Sequence, residues 1–156
     1  MGYVDPKSRG AVLVVDDDAD LRALLREALE YIRYYVLEAD DGKGALDILR
    51  LTDTPLVRVI ILDLMMPGMS GWELIETLHR DPMLSQIPVV VMSAASVHGD
   101  ASGIGATMSW LRKPFGEEEL FAAVNDAVGY SSRSEDDGVR SRAKAGRESV
   151  SSHPDR

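Results

Sequence analysis

Five short apolar runs punctuate the chain: AVLVV (11–15), YYVLEA (34–39), VRVIIL (57–62), IPVVVM (87–92) and MSWLR (108–112). They are rich in β-branched residues and bounded by turn-forming or acidic ones, which predicts buried strands. Between them the period changes. Leu21, Leu24, Leu25, Ala28, Leu29 and Ile32 recur at helical spacing and predict an amphipathic helix. Ala45, Leu46, Ile48 and Leu49 make a shorter stripe. SGWELIETLHR opens on Ser70 with Glu73 three residues later, a capping box, and then offers Leu74, Ile75 and Leu78 to a core. The last helical segment, GEEELFAAVNDAV, puts three acids in its first turn, where the helix dipole favours them. ASVHGDASGIGAT, before the fifth run, holds Gly99, Gly103 and Gly105 and has no helical stripe. A helix there is expected to be short or irregular.

Strands alternating with helices of this length predict an α/β fold, a doubly wound parallel sheet covered on both faces. In that architecture the carboxyl ends of the strands form the ligand crevice. The polar residues that follow the apolar runs all fall there: Asp16, Asp17 and Asp18 after the first, Asp63 after the third, Ser93 after the fourth and Lys113 after the fifth.

Composition narrows the function classes. The 156 residues suit one domain, and 45% apolar residues suffice for a core. A net charge of −9 argues against nonspecific binding to nucleic acid or an anionic membrane. No cysteine is present, which removes disulfides, thiolate metal sites and a cysteine nucleophile together. The N-terminus has no long apolar stretch and no run reaches membrane-spanning length, so a cytoplasmic protein without membrane insertion is expected. From Tyr130 onward the chain is rich in serine and charge, with six basic against five acidic residues and almost nothing to bury. The expected layout is a flexible N-terminus (1–9), one folded domain (10–129) and a disordered tail (130–156) that is either a free end or a tether.

Acids gathered at one strand end repel each other unless a cation lies between them. Oxygen ligands without histidine or cysteine point to a hard ion, Mg²⁺ or Mn²⁺. A lysine and a serine hydroxyl brought to the same rim could hold an anion. A metal, a lysine and a hydroxyl around one carboxylate can stabilise phosphoryl transfer to it, with Asp63 as the nucleophile. Each part also has an ordinary reading. Asp63 stands close before Pro67-Gly68 and could belong to a turn. Asp18 or Asp20 could cap the first helix, and Ser93 and Lys113-Pro114 could be a plain strand end and loop. Four such groups at four strand ends of one small sheet favour a site.

VLVVDDDADLRALL, VIILDLMMPGMSGWEL, IPVVVMSA and LRKPF, in that order, resemble the receiver domain of two-component response regulators over about residues 10–129. The resemblance implies a flavodoxin-like five-stranded sheet of order 2-1-3-4-5. It implies that Asp63 is the phosphoacceptor, taking a phosphoryl group from a histidine kinase or a histidine phosphotransfer protein. Asp17 and Asp63 would bind Mg²⁺ directly and Asp16 through water, with the Met65 backbone carbonyl completing the protein's ligands. Ser93 and Lys113 would bind the phosphoryl oxygens, and Lys113-Pro114 would be a cis peptide. Ser93 and the aromatic three residues before the lysine would form the switch. The protein would not be an enzyme beyond its own phosphorylation and dephosphorylation.

The departures from the family pattern are specific. The switch aromatic is Trp110, larger than the usual tyrosine or phenylalanine, and the stretch from Ser93 to Lys113 is short and glycine-rich. Arg33 stands where a helix-ending glycine is common. Two residues after Asp63 and Ser93 come Met65 and Ala95, whose side chains cannot orient a hydrolytic water. Nothing after Val128 reads as a DNA-binding or enzymatic domain, so a stand-alone regulator that switches binding to a partner protein, without direct DNA binding, is expected. Two alternatives stay open: a receiver-shaped interaction module that never takes phosphate, and a haloacid-dehalogenase-type phosphatase with Asp16 as nucleophile and Asp18 as general acid.

Overall fold

The computed structural model describes residues 9–51, 56–94 and 108–129. Strands β1 (Ala11–Val15), β2 (Tyr35–Ala39), β3 (Val57–Asp63), β4 (Val89–Ser93) and β5 (Met108–Arg112) alternate with helices α1 (Ala19–Tyr31), α2 (Gly42–Arg50) and α3 (Gly71–Arg80). A 3-10 turn (Leu84–Gln86) precedes β4, and α4 spans 117–129. All neighbouring strands pair parallel, in the order β2-β1-β3-β4-β5. This is the doubly wound, flavodoxin-like sheet the apolar runs and the resemblance imply. The glycine-rich segment 95–107, the terminal segments 1–8 and 130–156, and Ala95 lie outside the described residues.

Two cores sandwich the sheet, and strand alternation assigns each side chain to one of them. Ala11, Leu13 and Val15 of β1 face Ala45, Leu46, Leu74, Ile75 and Leu78 of α2 and α3. Val12 and Val14 face Leu25, Ala28 and Leu29 of α1 and Leu120, Val124 and Ala127 of α4. The α1 stripe is narrower than its sequence suggests. Leu24, on its flank, is 65% exposed, because the helix rests on the sheet through Leu25, Ala28 and Leu29.

β1 and β5 coincide with their apolar runs, and the limits of β2, β3 and β4 differ from theirs by one or two residues, for identifiable reasons. Tyr34 leaves β2 because its N–H donates to the Leu29 carbonyl (3.1 Å) while the Arg33 N–H donates to that of Glu30 (2.9 Å). Those two bonds close α1 in a Schellman motif, with Arg33 in the left-handed position at φ 71°. Ile87 is held by the turn before β4, its N–H donating to Leu84 (3.1 Å). Asp63, in contrast, belongs to its strand and pairs with Met92. The α3 capping box is formed: the Glu73 N–H donates to Ser70 Oγ (3.3 Å) and the Ser70 N–H to Glu73 Oε2 (3.1 Å). Of residues 1–9 only Arg9 is described; it donates to Asn125 Oδ1 (3.0 Å) and lies over the Tyr34 ring.

Candidate functional site: an acidic cluster at the switch point of the sheet

The chain runs from β1 outward to β2, then returns to place β3 on the other side of β1. The connections leaving β1 and β3 therefore diverge, and a crevice opens above their carboxyl ends. Asp16 follows β1 directly and Asp63 ends β3, so both stand at that crevice. With Asp17 they form a group whose ligand oxygens lie within 4.8 Å of one another.

Asp16 is wholly buried. Its N–H donates to the Ala39 carbonyl of β2 (3.2 Å), and its own carbonyl accepts from Arg22 Nη1 (2.6 Å). Its Oδ1 accepts the Asp18 N–H (2.8 Å). Its Oδ2 is buried and has no hydrogen-bond partner among the described residues. Burial pushes this carboxyl above the ordinary carboxylate range; the Asp18 N–H opposes that, Asp63 adds to it, Lys113 opposes it and Asp17 adds to it. Asp63, 9% exposed, has its Oδ1 held by the Met65 N–H (3.1 Å).

Lys113 completes the charge arrangement. Its Nζ lies 3.5 Å from Asp16 Oδ2 and 3.6 Å from Asp63 Oδ2. Both distances suit an ion pair and are too long for a good hydrogen bond. The lysine thus offsets part of three negative charges without satisfying either oxygen. A donor set made only of oxygens, one of them buried and unpartnered, fits a hard divalent cation. The backbone of the next strand ties Lys113 in place: its N–H donates to the Ser93 carbonyl (2.9 Å), and the Lys113-Pro114 peptide is cis.

Asp18 does a different job. Its side chain accepts from the N–H groups of Asp20 (3.0 Å) and Leu21 (3.2 Å) and caps α1. It is committed to its own helix and is not placed to act as an acid toward Asp16, as a dehalogenase-type phosphatase requires.

Three neighbours of the site were not legible beforehand. Arg22 reaches back from α1 to the Asp16 carbonyl, a contact that a stripe of leucines does not disclose. Gly71 is buried, and a Cβ there would lie 2.6 Å from the Asp63 carbonyl oxygen and 2.7 Å from Leu64 Cα. Its N–H donates to Leu64 (3.1 Å), so α3 starts directly on the peptide of Asp63. Trp72, the next residue, packs on Trp110 with ring centroids 6.2 Å apart and planes tilted by 55°. That pair joins α3 to β5, elements whose adjacency follows only from the strand order.

Comparison with known proteins agrees with this geometry. Residues 12–125 match the response regulator receiver domain. The chain is 40% identical over 115 residues to the uncharacterized transcriptional regulatory protein YrkP of Bacillus subtilis, covering 72% of this chain and 47% of that protein. It is 36% identical over 127 residues to the transcriptional regulatory protein CpxR of Escherichia coli, covering 80% and 51%. It therefore spans about half the length of these relatives. Among solved structures, the chemotaxis response regulator CheY4 of Vibrio cholerae superposes with a TM-score of 0.67 at 28% identity, covering 75% of this chain and 97% of that one. The fold, the acidic crevice and these likenesses converge: the chain belongs to the response regulator receiver domain family of two-component signalling.

Proposed function

We propose that Asp63 accepts a phosphoryl group from a phosphohistidine on a histidine kinase or a histidine phosphotransfer protein, and that this switches binding to a partner protein. The observation that carries the reading is the setting of Asp63. A nearly buried carboxylate has Oδ1 fixed by the Met65 N–H and Oδ2 facing Lys113, beside two further carboxylates. A carboxylate oxygen lone pair forms the new O–P bond as the N–P bond breaks, and that electron pair returns to the imidazole. Lys113 and the Ser93 hydroxyl then hold phosphoryl oxygens. Asp17 and Asp63 would hold Mg²⁺ or Mn²⁺ directly, Asp16 through a water, and Met65 by its carbonyl. The ion, when bound, supplies the positive charge that lets an anionic phosphoryl group approach a cluster of carboxylates.

Ser93 and Trp110 carry the change outward in this reading. Ser93 is drawn toward the new phosphoryl oxygens by a charge-assisted hydrogen bond. Trp110 then leaves its packing against Trp72. The receiver works in the cytoplasm through protein contacts in this reading; the transcriptional role in the relatives' names concerns proteins about twice as long. Among the described residues no helix is long and apolar enough to cross a membrane.

The test is incubation with acetyl phosphate and Mg²⁺, followed by intact mass measurement. A single added phosphoryl group, lost in Asp63→Asn and in EDTA, is the expected result. An unmodified wild-type chain would leave the phosphorylation-independent interaction module as the reading.

A further inference from the structure

We infer that Arg22 is a positioning residue for the cation site, fixing the Asp16 carboxylate through the main chain and itself fixed by Glu38 and Arg26; the inference rests on the reading above. Asp16 is the first residue beyond β1, where strand pairing ends and the chain is about to turn into α1. Its N–H is still paired to Ala39 of β2. Its carbonyl is held by the guanidinium of Arg22 at 2.6 Å. With both main-chain groups held and Oδ1 committed to the Asp18 N–H, the carboxylate has one open oxygen and one direction for it. That oxygen, Oδ2, is the buried, unpartnered one on the Lys113 side.

Arg22 is itself restrained. Its side chain is 18% exposed, and its Nε lies 3.5 Å from Glu38 Oε1. The other Glu38 oxygen is 2.6 Å from Arg26 Nη1, one helical turn further along α1. A carboxylate on edge strand β2 thus clamps two guanidiniums of α1, and the inner one reaches the metal-side residue. The planar fork of Arg22 can serve Glu38 and the Asp16 carbonyl together, which a lysine ammonium on a flexible stem does less well. Groups that orient metal ligands from behind commonly change metal affinity about 10–100-fold when removed. Arg22 does so here without touching the ion.

The experiment titrates Mg²⁺ into the full chain by calorimetry, reads the half-point of binding, and compares thermal stability in EDTA. Arg22→Met keeps the apolar stem and removes the guanidinium. The expected result is a Mg²⁺ half-point raised about tenfold, with Arg22→Lys intermediate and Glu38→Gln shifted in the same direction by less. The initial rate of labelling by acetyl phosphate should show the same displacement along the Mg²⁺ axis and recover at saturating Mg²⁺. An Arg22→Met chain that loses stability in EDTA yet keeps the wild-type half-point overturns the inference, because Arg22 is then only structural. If Arg22→Met does not fold, Glu38→Gln decides, and an unshifted half-point overturns it. A wild-type chain indifferent to Mg²⁺ overturns the functional reading and this inference with it. A wild-type response with unshifted variants overturns this inference alone.

Discussion

Replacing Asp16 by Asn should make the metal-free protein more stable, although it removes a buried ion pair. The replacement keeps an oxygen to accept the Asp18 N–H and takes one negative charge out of a site where it is wholly buried. Two like-charge pairs disappear, with Asp17 and with Asp63, each with oxygens no more than 4.8 Å apart. At an effective dielectric of about 20 each such pair costs roughly 3.5 kcal/mol. One attraction is lost, to Lys113 at 3.5 Å, of about 4.7 kcal/mol on the same scale. Asp17 is exposed, so water screens its share, while relief of desolvation acts in favour of the variant. The net gain is about 1–2 kcal/mol, or a few degrees in thermal midpoint for a chain of this size. Mg²⁺ should invert or close the gap, since wild type gains about 2.7 kcal/mol at a hundredfold excess over Kd and the variant has lost a group of the site. The pH dependence has a definite sign. A folded pKa above the unfolded 3.8 means the native state holds the proton more tightly. The wild-type deficit is therefore fully present above the raised pKa and vanishes as pH falls below about 3.8. Urea unfolding in EDTA and in Mg²⁺, at pH 7 and near pH 4, measures all of this. An Asn variant less stable than wild type in EDTA at pH 7 would refute the electrostatic reasoning.

Arg33→Gly should stabilise the fold by up to about 1 kcal/mol, because the exposed arginine holds a left-handed φ that glycine adopts without cost; a loss of stability in denaturant titration counts against the Schellman reading. Gly71→Ala should destabilise by about 2 kcal/mol or more, since its Cβ would press on the backbone of Asp63 and Leu64, which has no side chain to swing away. The same variant should label poorly with acetyl phosphate, and an unchanged thermal midpoint would show that α3 is not seated as described. Met65→Asn should leave stability unchanged, the side chain being 81% exposed, and speed loss of phosphate from isolated phosphoprotein by offering a group that orients the attacking water. Unchanged decay would remove Met65 from that role.

The sheet was legible because its strands announce themselves twice, as apolar runs and as positions for charged residues just past their ends. Asp16 and Asp63 were found for that reason: a carboxylate directly after four branched residues has no ordinary place in a core. What escaped the sequence was set by contacts across the topology. Leu24 obeys helical spacing but lies on the flank of the stripe, and only the seating of α1 exposes it. The sequence offered Asp18 or Asp20 as the cap of α1, but in a run of identical side chains it did not tell Asp18 from the wholly buried Asp16. Backbone direction at the end of β1 makes one a helix cap and buries the other. Arg22 and Gly71 reach Asp16 and Asp63 from the helix that directly follows each strand, and Trp72 meets Trp110 on a strand distant in the chain; neither periodicity nor composition carries a signal for these contacts.

The Trp72–Trp110 pair also has an optical consequence. Indoles with centroids 6.2 Å apart share excitation, so the emission of the intact protein belongs to both rings and to neither alone. Their 55° tilt makes the pair a chiral arrangement of coupled transitions, which far-ultraviolet circular dichroism records as a couplet in the strong indole band that a single tryptophan lacks. Removing either ring to isolate the other alters the packing being measured. The native spectrum, with both indoles in place, is the appropriate gauge of the spacing between α3 and β5, and disappearance of the coupled band marks the moment at which those two elements part.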